Sequence, residues 1–310
     1  MANREDSTAK MPAQLLRGAP VARRIRNGVI EAAAVLRDQT AVSANLVTLG
    51  VGDDPAAAAY RQSIERHLGR AGVSHRGLVL PPSTTPRGFV EAIQRLNADP
   101  AVHGVLLLLP LPAHLSLDLA IEHLSPMKDV DGITPLNAGR LHLGLPALRP
   151  STPQGGIELL DHYGIALAGK RAIVVGRSNV VGKPLAALLT ARDATVTLCH
   201  RQTADLPDLL RQADLVALAA GRAGLVRGEQ LAPGAVVLDF GINVEGGTVV
   251  GDADAESVAA VAGAYTPVPG GTGPVTTMVL ARNTVAAAFS SLGVEVEASE
   301  SSLAGATSEP

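Results

Sequence analysis

Residues 171–189 read RAIVVGRSNVVGKPLAALL. The first five have the apolar, β-branched character of a buried strand. A glycine turn follows, and a helix is expected to start near Val181. A chain that leaves a buried strand and turns tightly into a helix aims backbone N–H groups and a positive helix end at one spot. That arrangement suits a phosphate or pyrophosphate. Gly176 and Gly182 stand six apart with Ser178 between them, so the turn is G-x-S-x-x-x-G and not G-x-G-x-x-G. The bare pattern also fits a glycine-rich turn in any α/β protein, so its surroundings must decide.

In dinucleotide folds an acidic residue about twenty positions further on, at the end of the second strand, binds the ribose hydroxyls of NAD. Here a strand over 194–198 is followed by Cys199, His200 and Arg201. No acid is present, and a cation stands where a 2′-phosphate would lie. Arg177, inside the turn, can converge on the same group, because the planar guanidinium fork matches two phosphate oxygens. The expected cofactor is therefore NADP in preference to NAD. The competing reading is a pair of idle surface arginines.

Further strands at 215–219 and 235–239 complete an α/β unit around this turn. The N-terminal half carries the same alternation. A helix opens at Pro20 with Val21, Ile25, Val29 and Leu36 at helical spacing, followed by a strand at 45–49. Asp54-Pro55 is a cap and first-turn pair for a helix to about Arg70, and Thr85-Pro86 opens another through Leu96. Strands are expected at 74–80 and 102–109, the latter nearly continuous in apolar residues, as in a strand covered on both faces. Short spacing between strands and helices means parallel pairing with right-handed crossovers. Residues 126–144 read as a long polar loop, and loops of that length are usually functional. A helix follows Thr152-Pro153, and another covers 273–292. The fold class expected is α/β and two-lobed: a catalytic lobe at 15–150 plus 274–293, and a Rossmann-like lobe at 151–273. Tails at 1–14 and 294–310 read as disordered.

The 310 residues are 46% apolar but only 2% aromatic, with no Trp, so packing rests on Ala, Val and Leu. A net charge of −3 and the lack of a basic run argue against nucleic acid as a partner. The lone Cys199 cannot form an internal disulfide, which fits a reducing compartment. The polar start and the shortness of every apolar run lead to the expectation of a cytoplasmic protein with no membrane partner. No metal site is expected. Lysine occurs only at positions 10, 128, 170 and 183.

Six runs carry a resemblance: LLPLPAHL at 108–115, PMKDVDGITPLNAGRL at 126–141, RPSTPQGGIELL at 149–160, VVGRSNVVGKPLAALL at 174–189, VVLDFGIN at 236–243 and TPVPGGTGPVTTMVL at 266–280. Together they resemble the bifunctional methylenetetrahydrofolate dehydrogenase/cyclohydrolase family (FolD type) from about Leu16 to Leu292. The resemblance implies a folate lobe with the last helix packed back on it, an NADP lobe, a tetrahydrofolate-type substrate and a homodimer. It implies that Gly176, Arg177, Ser178, Gly182, His200 and Arg201 contact the cofactor, and that Gly221, Gly241 and Ile242 wall its nicotinamide side. It also implies that Asp131 pairs with the pterin ring, that Tyr60 stacks near the folate, and that a loop including Pro269, Gly270 and Gly271 closes the cleft. A loop-capping role for Asp131 and a core role for Tyr60 stay open at this level.

The resemblance breaks at two places. The family's proton-handling lysine follows the tyrosine by four positions, on the same helix face; here that position is Ile64. Its glutamine partner, in V-Q-L-P-L-P, is replaced by Leu108. Oxidising the methylene bridge sends a hydride to the nicotinamide and needs alignment more than proton transfer. Hydrolysing the methenyl product needs a positioned acid or base, worth about 10²–10⁴-fold in rate. The expectation is therefore an NADP-dependent methylenetetrahydrofolate dehydrogenase with cyclohydrolase activity weak or lost. The alternatives are full dual activity, a paralogue acting on another substrate, or a binding protein without catalysis. His67 projects from roughly the same face one turn on and is a candidate surrogate base, against the plainer reading of a surface histidine. Arg66 is on the wrong face.

Overall fold

The computed structural model describes residues 12–294. The chain begins with an edge strand, β1 (Gln14–Leu15), and a long helix, α1 (Gly18–Thr40). Strand β2 (Asn45–Val51), helix α2 (Pro55–Gly69), strand β3 (Ser74–Leu80), helix α3 (Pro86–Ala98) and strand β4 (Gly104–Leu107) follow. The helix starts obey the sequence signals. Asp54 accepts from the Ala57 amide at 2.8 Å ahead of Pro55, and Thr85 accepts from the Gly88 amide at 3.1 Å ahead of Pro86.

The three strands form a parallel sheet in the order β3-β2-β4. Side chains alternate across it. Leu46 of β2 enters a core with α1 and α2, while Val47, Leu49 and Val51 enter a second core with Phe89 and Ile93 of α3. The apolar run at 102–109 contributes only four residues to β4, because the sheet ends where Leu108 turns toward Pro110.

Helix α4 (Leu117–His123) is followed by a segment expected as loop, yet it contains helix α5 (Pro135–His142). The buried carboxylate of Asp129 organises that turn. It accepts from the Ile133 and Thr134 amides, the Thr134 hydroxyl and the Asn137 side-chain amide, at 2.7–3.0 Å. Such a turn rests on side-chain bonds, which hydrophobic periodicity does not reveal.

Helix α6 (Ser151–His162) leads into the second lobe: β5 (Arg171–Val175), α7 (Gly182–Thr190), β6 (Thr195–Cys199), α8 (Leu206–Leu210), β7 (Leu215–Leu218) and β8 (Val236–Asp239). A short hairpin of β9 (Asn243–Glu245) and β10 (Thr248–Val250), then α9 (Ala255–Ala259) and β11 (Ala264–Tyr265), complete it. The larger sheet is parallel throughout, in the order β1-β11-β8-β7-β5-β6. Both faces are covered. Ala172 and Val174 face a core with α6 and α7, and Ile173 and Val175 face a core with α8 and α9.

The last helix, α10 (Thr272–Leu292), packs back on α1 and α6, and Val275, Val279 and Phe289 join the core of the first lobe. Two boundaries differ from the sequence reading. Gln14 and Leu15, assigned to the tail and the first lobe, pair with Ala264 and Tyr265 in the larger sheet, and Leu16 enters its core. Val294 packs against the first core. The rest of the expected tails, 1–11 and 295–310, lies outside the described residues. No helix among the described residues is long and apolar enough to cross a membrane.

Candidate active site

Strands β5 and β6 are adjacent and in register, with Val175 opposite Cys199, and the Gly176 amide donates to the Cys199 carbonyl at 2.9 Å. Arg177 and Arg201 each follow their strand by two residues, so both leave from the same edge of the sheet. Both are exposed. Gly176 sits at φ +132°, where side chains are strained, and a Cβ there would strike the Ala219 carbonyl. A Cβ at Gly182 would strike the carbonyl of Gly176. Glycine is thus required at both positions for the backbone to pass closely into the start of α7, a strand-to-helix turn of the kind that suits a pyrophosphate. The Ser178 hydroxyl accepts from the amides of Val181 and Gly182, at 3.0 and 3.3 Å. It caps the turn and keeps its own O–H to donate. His200 accepts the Gln202 amide on Nδ1 at 3.1 Å, which puts the proton of the neutral ring on Nε2.

The far side of this lobe is tied together by a carboxylate that the sequence reading missed. Asp252, fully buried, accepts from the amides of Ala220, Gly221 and Arg222 at 2.6–3.0 Å and from the Asn243 side chain at 2.9 Å. Asp239, also buried, accepts from the amides of Gly241, Asp252 and Ala253. Burial pushes the Asp239 carboxyl upward, and these three bonds oppose the shift. Gly221 and Gly241, far apart in sequence, are therefore held by one pair of linked carboxylates.

A cleft of about 320 Å³ lies between the lobes. Tyr60, Ser63 and His67 of α2 line one side; Gly241, Ile242 and the loop 267–273 line the other. The structure thus brings Tyr60, Pro269, Gly270, Gly271, Gly241 and Ile242 to one cleft. Tyr60 is 39% exposed, so the core reading of it does not hold. Burial of its hydroxyl among its neighbours, with the nearby Asp131 charge, holds the phenol well above its ordinary value, and it stays protonated.

Asp131 is half-buried. It accepts from the Ser151 amide at 3.1 Å and the Ser151 hydroxyl at 2.5 Å, both on Oδ1. Desolvation raises its pKa to about 6, against the Ser151 bonds, which lower it. The carboxyl therefore links the end of the first lobe to the start of α6 and titrates near neutrality.

Ile64 and Leu108 are 0% and 3% exposed and share one apolar cluster with Leu68 and Leu106. Neither lines the cleft of Tyr60. Leu108 instead borders a separate groove of about 350 Å³ with Asp54 and Arg61.

Comparison with known proteins agrees with this geometry. The tetrahydrofolate dehydrogenase/cyclohydrolase catalytic domain matches residues 16–131, and the NAD(P)-binding domain of the same family matches residues 150–292. "Bifunctional protein FolD" of Herpetosiphon aurantiacus is 52% identical, covering 90% of this chain and 98% of that protein. The crystal structure of the bifunctional methylenetetrahydrofolate dehydrogenase/cyclohydrolase from Campylobacter jejuni superposes with a TM-score of 0.87 at 40% identity, over 90% of this chain and 99% of that one. The Trypanosoma brucei dehydrogenase-cyclohydrolase, solved with NADP and an inhibitor, gives 0.86 at 34% identity, over 91% and 99%. With both halves matched and near-full coverage, this chain belongs to the tetrahydrofolate dehydrogenase/cyclohydrolase family.

Proposed function

We propose that the protein oxidises 5,10-methylenetetrahydrofolate to 5,10-methenyltetrahydrofolate with NADP, and hydrolyses the methenyl product as well. The observation that carries this reading is the cleft walled by Tyr60 on one side and by Gly241, Ile242 and the 267–273 loop on the other. Arg177, His200 and Arg201, at adjoining strand ends, support the choice of NADP. NADP, when bound, accepts the hydride.

The residues of the chain do the remainder. The glycine turn and the Asp252 anchor hold the cofactor wall, Tyr60 offers a face for the folate, and Asp131 offers acceptors for pterin N–H groups. In this proposal the folate lobe spans 15–150 with 274–293, the NADP lobe spans 151–273, and the protein is a homodimer.

Retention of the second activity is supported by the 52% identical relative, whose name is bifunctional, and this reading takes precedence over loss. The opposite reading, dehydrogenase alone, is favoured by one observation: Ile64 and Leu108 are apolar and buried where the resemblance implies a lysine and a glutamine. Following NADPH formation and methenyl hydrolysis on the same purified protein separates them. Both activities support the proposal. Reduction without hydrolysis supports the dehydrogenase-only reading. Neither activity leaves a different substrate or a binding role.

A further inference from the structure

The cleft between the lobes holds few groups able to move a proton. Of the side chains lining it, only Tyr60 and His67 are titratable, and the rest are Gly, Pro, Val, Ile, Ser and Thr. Tyr60 keeps its proton, since burial and the Asp131 charge both disfavour the phenolate. It can donate a hydrogen bond but not accept a proton from water. Asp131, tied to Ser151, is near Tyr60 but is not among the lining residues, so of the groups that line the cleft His67 is left.

His67 reaches the cleft because of its place on α2. Tyr60, Ser63 and His67 follow one another at three and four residues, on the stripe of the helix turned toward the 267–273 loop. Ile64 and Leu68 occupy the adjoining stripe, about a quarter turn round the helix, and are sealed in the core.

Its tautomer is set by the backbone. Nδ1 lies 2.6 Å from the carbonyl oxygen of Ser63. A carbonyl can only accept, so Nδ1 must carry the proton. The contact of Nδ1 with the Ser63 hydroxyl is longer, at 3.4 Å, and does not compete. The neutral ring therefore presents an unprotonated Nε2, which makes no hydrogen bond among the described residues. A ring held on one side by a main-chain acceptor, with its basic nitrogen free, is the form a general base requires.

We propose that His67 is the acid–base residue of the hydrolytic half-reaction, doing from the turn beyond Ile64 what Ile64 cannot. The proposal rests on the dual-activity reading above. In the step, the oxygen of a water forms a bond to the methenyl carbon of the cationic substrate, and its proton passes to His67 Nε2. The product is a neutral carbinolamine. His67 then returns that proton to N5 as the bond between N5 and the carbon breaks. The carbinol hydroxyl releases its proton to solvent as the formyl C=O forms on N10. One water is consumed and one proton released, with no change of oxidation state. The Nδ1–H bond to Ser63 steadies the ring while it carries the charge.

The test uses the full-length protein and two variants, His67→Asn and His67→Ala. Asparagine can keep a donor to the Ser63 carbonyl but has no basic nitrogen. Alanine opens space for added imidazole. Hydrolysis of methenyltetrahydrofolate and NADP reduction on methylenetetrahydrofolate are measured side by side, and the thermal unfolding midpoint reports that each variant is folded. The expected result is a ratio of hydrolysis to reduction at least about 10²-fold lower in both variants, with imidazole restoring part of the hydrolysis in His67→Ala but not in His67→Asn. A ratio unchanged from the parent overturns the proposal. So does a parent protein that reduces NADP but hydrolyses nothing, which leaves the dehydrogenase reading intact. A parent with neither activity overturns the proposed function itself.

Discussion

Asp131 receives both of its hydrogen bonds from a single residue, Ser151, on a single oxygen, Oδ1. The two bonds favour the carboxylate, yet burial outweighs them and the group titrates at about 6. If Asp131 accepts from the pterin, binding needs the charged form. The KM for the folate substrate is expected to rise as pH falls through about 6, and to lose that dependence in Asp131→Asn. Ser151→Ala removes one of the opposing bonds, so the break in the KM profile should move to higher pH. Steady-state kinetics across pH on the three proteins checks both signs.

The same shift has a consequence for stability. The folded-state pKa lies above the ordinary value of 3.8, so the folded protein holds this proton more tightly than the unfolded chain. The contribution is fully present below pH 3.8 and is lost as pH rises through about 6. At pH 7, Asp131→Asn is expected to be more stable than the parent by up to about 3 kcal/mol, from a shift of about two units. The difference should close in acid. Urea unfolding at pH 7 and pH 4 measures it.

Asp252 accepts from three consecutive amides, 220–222, and from Asn243. Asp252→Ala takes the acceptor from those part-buried donors, at a cost on the order of 1–3 kcal/mol. If Gly221 and Gly241 wall the nicotinamide side, it should also loosen both. A lower unfolding midpoint is expected, together with a rise in KM for NADP that exceeds any change for the folate.

Arg177 and Arg201 share an edge of the sheet but sit on different strands. If both meet the 2′-phosphate, Arg177→Ala or Arg201→Ala should each raise the KM for NADP roughly ten- to hundredfold, the worth of one charged hydrogen bond. The KM for NAD should change little. An NAD/NADP preference that stays put in both variants would mark them as idle surface residues.

Glu158 binds two arginines of very different exposure. Arg282 is buried and lies 2.7 Å away; Arg24 lies 2.8 Å away with 54% of its side chain exposed. Glu158→Ala leaves a buried guanidinium unpaired and is expected to cost about 3–5 kcal/mol. Arg24→Ala, removing a surface partner, should cost no more than about 1 kcal/mol. Chemical unfolding of the two variants distinguishes them.

Much of this was legible in the sequence because its causes are local. Asp54-Pro55 and Thr85-Pro86 start helices by bonds within one turn, and the glycines at 176 and 182 answer to contacts within a few residues and one neighbouring strand. Parallel pairing followed from the alternation of strands and helices. The short helix α5 was hidden, because its turn depends on the side chain of Asp129 and not on apolar spacing.

What no local reading reaches is set by residues distant in the chain. Leu15 pairs with Tyr265, so two residues of the N-terminus complete a sheet built from the other half. Asp252 joins Gly221 to Asn243, and the Ser151 that tunes Asp131 lies twenty residues away at the start of α6. The sequence alone determined the two-lobed α/β class, the glycine turn between β5 and α7, and the two apolar residues at Ile64 and Leu108. Only the tertiary structure decided that both of these are sealed in a core while His67 faces the cleft, because which stripe of α2 is buried depends on the sheet and the last helix packed against it.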